Sequence, residues 1–165
     1  MISLSNTIEI AAPPSSVWRF FADLDRRYAD WHPEHLRWRT LRGEPLRPGT
    51  VWFADEWIGP MRISGRFFVI EARPEKFFTY RLGLPASIIR AGGSFRLAGT
   101  EDGRCVLTEE THFGFSAPII GPLLDIILHR TLPIDEFRRH LREEGENLAH
   151  MLGAGQTPVT AHPRS

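Results

Sequence analysis

Alternation and helical spacing divide this chain into a short front, a run of strands and a long amphipathic helix. Ser3–Ile10 alternates, with Ile8 and Ile10 on one face, and reads as a strand. Ala11-Ala-Pro-Pro-Ser-Ser then marks a helix start, because proline is tolerated in a first turn, and Val17, Trp18, Phe20 and Phe21 follow. Asp23–His35 is a helical or irregular connection carrying Tyr28, Trp31, His32 and His35. Six β-like runs come next: Leu36–Leu41, Thr50–Ile58, Met61–Glu71, Lys76–Leu82, Gly92–Leu97 and Arg104–Phe113. Gly and Pro clusters separate them, and Asp102-Gly103 predicts a tight hairpin. Phe115–Leu132 is apolar but broken, and predicts a helical lid ahead of the final helix.

Pro133–Leu152 has helical periodicity, with Ile134, Phe137, Leu141, Leu148 and Leu152 in one stripe. At about 100° per residue, His140 falls at the edge of that stripe and Glu144 near its middle. A carboxylate there loses its water at a cost of several kcal/mol and needs a neutralising partner. An i, i+4 His/Glu pair can hold one metal ion from consecutive turns, or can simply satisfy itself at a solvated boundary.

The element order predicts an α+β domain over residues 1–152, a curved antiparallel sheet wrapped around a long helix with a cavity between them. Residues 153–165 predict a disordered tail. At 165 residues a single core suffices. Twenty basic and 20 acidic residues cancel, which argues against a nucleic-acid partner, and no apolar run is long enough to span a membrane. Met1–Ile10 lacks the pattern of a secretory leader, so a cytoplasmic monomer or homodimer is expected. The lone Cys105 excludes a disulfide framework and a cysteine-rich zinc site.

Candidate chemistry clusters at three places. His32 and His35 flank Pro33 in a stiffened loop, and either can face the cavity. Strict alternation puts Glu56 on the face of Trp52, Ala54 and Ile58, and Asp55 on the other. One of these acids should point inward, and the bland alternative pairs Glu56 with Arg62. His140 and Glu144 supply the third place. Two histidines and two carboxylates facing one cavity suit zinc, with manganese and iron also compatible.

The opening IEIAAPPSSVWRFFADLDRRYADWHP, the strands and the final helix together resemble the START-like, Bet v 1-like (SRPBCC) superfamily of polyketide cyclases and ligand carriers. That resemblance implies a helix-grip fold. More narrowly, WHPEH, DEW and HLREE are similar to the zinc-dependent diacetylphloroglucinol hydrolases. Those enzymes hold zinc with two His and two Glu and cleave an acyl group from a phenolic ring. The resemblance implies His32, Glu56, His140 and Glu144 as metal ligands, although this chain is shorter than the family pattern. The function expected is a metal-dependent hydrolase of C–C or ester bonds, acting on the carbonyl of a small aromatic or polyketide-like molecule. His35, His112 and Tyr80 are candidates for proton transfer, and Trp52, Phe67, Phe77, Phe95, Phe137 and the Ile119–Leu128 segment for an apolar wall. The alternative is a metal-free carrier or cyclase-like protein.

Overall fold

The computed structural model describes residues 1–115 and 121–153. Strand β1 (Ile2–Ile10) leads into helices α1 (Pro14–Ala22) and α2 (Leu24–Trp31). Six further strands follow: β2 (His35–Arg42), β3 (Val51–Ile58), β4 (Met61–Arg73), β5 (Phe77–Leu82), β6 (Gly92–Gly99) and β7 (Cys105–Phe113). A single 3₁₀ turn, Ala86–Ile89, interrupts β5 and β6. Helix α3 (Gly121–Thr131) then precedes helix α4 (Ile134–Gly153). The strands form one antiparallel sheet in the order β1-β7-β6-β5-β4-β3-β2. Sequential hairpins build it from β2 to β7, and β1 closes on β7.

Each element follows from its local chemistry. Pro13 and Pro14 start α1, and Val17, Phe20 and Phe21 at i, i+3, i+4 spacing turn its apolar face into the core. The β6–β7 hairpin closes at Thr100–Arg104, where Gly103 adopts φ +81° and Thr100 accepts the returning N–H of Arg104. In α4 the buried set is Ile134, Phe137, His140, Leu141, Glu144, Gly145 and Leu148, a 3.6-residue stripe that includes both polar residues of the expected pair.

Helix α4 lies across the concave face of the sheet and packs on β1. Asn6 donates to the Leu141 carbonyl at 3.0 Å, and Trp31 Nε1 donates to the Glu144 carbonyl at 2.9 Å. Gly145 permits the close approach, since a Cβ there would meet Asn6 and Ile8. Asp125 ties α3 to the sheet by accepting the Phe115 N–H and the amino terminus. None of the described helices is long and apolar enough to cross a membrane. The tail from residue 154 and the first part of the Ile119–Leu128 segment lie outside the described residues.

Candidate functional site

Between α4 and the sheet is a cavity of about 440 Å³, within the range of small-molecule sites. Most of its wall is apolar: Phe21, Leu24, Trp31, Trp38, Trp52, Phe67, Phe78 and Phe95 among others. The polar groups are few and concentrated. Glu56, Glu109, His140 and Glu144 face it, with Tyr28 and Tyr80 beside them.

Strand geometry decides which residues enter. On β3, Glu56 points inward while Asp55 turns out and is held by a two-pronged hydrogen bond from Arg62, at 2.8 and 2.7 Å. Arg62 therefore neutralises Asp55, and Glu56 has no arginine partner among the described residues. His35 is the register partner of Glu56 across β2–β3. Between His35 and Arg37 the pairing slips by one residue, leaving Leu36 as a β-bulge. Without the bulge His35 and Trp38 would face opposite sides; with it both face the core.

The imidazoles differ in what they have left to offer. The ring nitrogens of His32, His35 and His140 approach within 4.8 Å of one another. Proximity alone groups the three, but hydrogen bonding separates them. His32 is occupied at both nitrogens: Nδ1 accepts the Glu34 N–H at 3.1 Å and Nε2 bonds Glu143 at 3.1 Å. In His35, Nδ1 bonds the Tyr28 carbonyl at 3.0 Å, which requires the proton to be on Nδ1. Its Nε2 is then a lone pair, 3.0 Å from Glu144 Oε1 and 3.6 Å from Glu56 Oε2. That nitrogen is the buried side-chain polar atom without a hydrogen-bond partner among the described residues. In His140, Nδ1 bonds Glu34 at 2.9 Å and Nε2 faces Glu144 Oε1 at 3.7 Å.

The electrostatics follow from burial. Burial pushes the Glu56 carboxyl above its ordinary range. Glu144 and Glu109 are pushed well above it, first by burial and then by neighbouring carboxylates. Burial lowers all three imidazoles, His140 to about 4, so each is neutral near pH 7. Tyr28 and Tyr80, raised chiefly by burial, remain hydrogen-bond donors, and Tyr28 donates to Glu56. Three acids thus line an apolar cavity, with the His35 lone pair buried against two of them, Glu144 and Glu56, and no lysine or arginine bonds Glu56, Glu109 or Glu144 among the described residues. Such a donor set fits a divalent cation: a positive charge between the His35 nitrogen and its carboxylate neighbours relieves their repulsion.

Of the other residues expected at the site, Tyr80, Trp52, Phe67, Phe95 and Phe137 line the cavity. Phe77 and His112 do not. Phe78, Tyr80 and Leu82 are the inward residues of β5, so Phe77 is on the outer face, where Arg96 covers its ring. His112 is one step out of phase with the inward Glu109, Thr111 and Phe113, and lies beside Gly92 on the same outer face. Glu34, Glu109 and Tyr28 are the polar residues of the site that sequence reasoning missed. Glu109 carries a readable signal, since it alternates with Leu107, Thr111 and Phe113 on an apolar face.

A curved antiparallel sheet gripping a long helix around a cavity defines the helix-grip fold of the START-like, Bet v 1-like proteins. A START superfamily protein from Mycobacterium smegmatis superposes with a TM-score of 0.64 at 15% identity, covering 93% of this chain and 99% of that one. Major latex-like protein 151 from Panax ginseng gives 0.69 at 10% identity, covering 92% and 97%. The chain belongs to the polyketide cyclase/dehydrase and lipid transport family, whose profile matches residues 1–144. In sequence it is 27% identical over 123 residues to the Mycobacterium tuberculosis protein named toxin Rv0910, spanning 74% of this chain and 83% of that protein.

Proposed function

We propose that the protein encloses a small aromatic or polyketide-like molecule and acts on its carbonyl at a divalent-metal centre held by His35, Glu56, His140 and Glu144. Zinc suits two imidazole and two carboxylate donors best. One observation carries the reading: the unpartnered, buried Nε2 of His35 faces two carboxylates. The family description supports the cavity half of the proposal, and the hydrolase half rests on the WHPEH, DEW and HLREE segments with the site geometry. His35 takes the place that the motif likeness gives His32, because His32 has no nitrogen free.

A bound divalent ion supplies Lewis acidity toward a carbonyl and toward water. The chain's own residues supply the rest. Trp31, Trp38, Trp52, Phe67 and Phe95 receive the ring and exclude water. Tyr28 fixes Glu56 by its hydroxyl. Tyr80, opposite the helix, donates to an oxygen of the bound molecule. The second reading is a carrier or cyclase-like protein that works without metal; the family description favours it over hydrolysis, and the raised Glu109 and Glu144 suit it. In that state protons take the cation's place, and the acids and neutral imidazoles serve directly as donors and acceptors.

Elemental analysis of the purified protein, as isolated and after zinc reconstitution and desalting, separates the two. Stoichiometric metal is expected, lost in His35→Ala and Glu144→Ala and kept in His32→Ala. Absence of metal from both wild-type samples discards the metal reading in favour of the metal-free one.

A further inference from the structure

We propose that Glu34 and Arg139 are positioning residues that lock the His140 imidazole with Nδ1–H outward and the Nε2 lone pair turned into the cavity. The purpose of this lock rests on the metal reading above; its geometry does not. Glu34 sits between His32 and His35, in the loop that joins α2 to β2, and is fixed at four points. Its N–H donates to His32 Nδ1 at 3.1 Å, and its carbonyl accepts from Trp57 at 2.9 Å. Its carboxylate divides the remaining work: Oε2 takes His140 Nδ1–H at 2.9 Å, and Oε1 takes Arg139 at 2.8 Å.

Arg139 precedes His140 on α4 and grips three carboxylates: Glu34, Glu136 at 2.8 Å and Glu143 at 2.6 Å. Glu143 in turn holds His32 Nε2. The loop and the helix are thus closed into a ring of hydrogen bonds running Glu34, His140's turn of α4, Arg139, Glu143, His32 and back to Glu34. Paired through Oε1 with the Arg139 guanidinium, the Glu34 carboxylate acts as the acceptor at Oε2, so the His140 Nδ1 that meets it at 2.9 Å carries the ring proton.

The plainer account is a salt-bridge network that pins the loop to the helix. Half-exposed ion pairs stabilise little, and that account assigns no role to the bond that fixes the buried His140 ring. Two features favour positioning. The second imidazole against Glu144, His35, is fixed in the same tautomer by an unrelated acceptor, the Tyr28 carbonyl. Both lone pairs therefore turn to Glu144. Glu34 also belongs to the WHPEH segment, which then divides its labour: His32 braces the loop, Glu34 orients the helical ligand, and His35 meets Glu56 and Glu144.

The test uses metal-free, ¹⁵N-labelled protein and long-range ¹H–¹⁵N correlations of the histidine rings. Wild type is expected to show His140 as the pure Nδ1–H tautomer. Glu34→Ala should give a mixture, and Glu34→Gln, which keeps an acceptor oxygen, should largely restore the wild-type pattern. Zinc affinity, measured against a chromophoric chelator, should fall by about 10–100-fold in Glu34→Ala, and less in Arg139→Met, with the urea midpoint of the metal-free protein nearly unchanged. An unaltered His140 tautomer in Glu34→Ala overturns the proposal. If wild type takes up no zinc but the tautomer responds, the metal reading fails and the positioning stands.

Discussion

At the scale of single residues, the site is a problem of charge. Glu109 and Glu144 are buried beside the half-buried Glu56, and the metal-free protein keeps them so by holding protons. Up to about pH 7.5 the unfolded chain still sheds protons from the histidines that the fold holds neutral, which favours folding as the pH rises. Above about pH 7.5 that contribution is spent and the buried carboxyls set the slope. The unfolded chain has already released the carboxyl protons, while the folded chain still binds some, so raising the pH favours unfolding. The thermal midpoint of the metal-free protein should therefore fall from about pH 7.5 to 8.5, and Glu109→Gln should flatten the fall; a wild-type profile that is flat over this window would show these acids to be solvated. Glu144 was legible in the sequence because a helix has a fixed period and its residues share one stripe. Glu34 was not, because a loop carries no periodicity and its partners come from the far end of the chain.

At the scale of elements, strand phase did most of the sorting. Alternation put Glu56 on one face with Trp52 and Ile58 and Asp55 on the other without deciding which acid enters the cavity, and the structure turns Glu56 inward. It failed at Phe77, since adjacent aromatics at 77 and 78 fit either phase, and at His112, whose phase the sequence left open. The boundaries of most strands and of α4 come within two residues of expectation because Gly, Pro and the hydrophobic stripe mark them. The 3₁₀ turn at Ala86–Ile89 left no such mark. One glycine shows how closely the sheet is built around the site. A Cβ on Gly93 would lie 2.3 Å from the Glu110 carbonyl oxygen and 2.6 Å from the Tyr80 hydroxyl. Gly93→Ala should cost about 1–3 kcal/mol in urea denaturation and displace the Tyr80 ring, whereas Gly65→Ala, which meets nothing within 4 Å, should be tolerated.

At the scale of the whole molecule, the cavity is what the core gives up to remain open. Two apolar clusters, one around Phe21, Trp52 and Phe95 and one around Phe113, Phe137 and Leu141, meet at its walls. A bicyclic aromatic ketone that fills it should stabilise the fold by mass action, by about 2.7 kcal/mol at a hundredfold excess over Kd. The same titration should change the fluorescence of Trp31, Trp38 and Trp52, all of which line the cavity. A ketone that moves neither the melting curve nor the emission would show that the space takes no such guest. The helix-grip architecture was readable from element order alone, because few arrangements bury one long amphipathic helix on many antiparallel strands.

The bulge at Leu36 has a consequence for descent. His35 and Trp38 share a face only because one extra residue separates their strand segments. Loss of that single codon would force one of the two out of the interior, with no ligand residue altered. A chemically active member of this fold and a plain container can thus be one in-frame deletion apart, and an inventory of retained His and Glu residues would miss the difference.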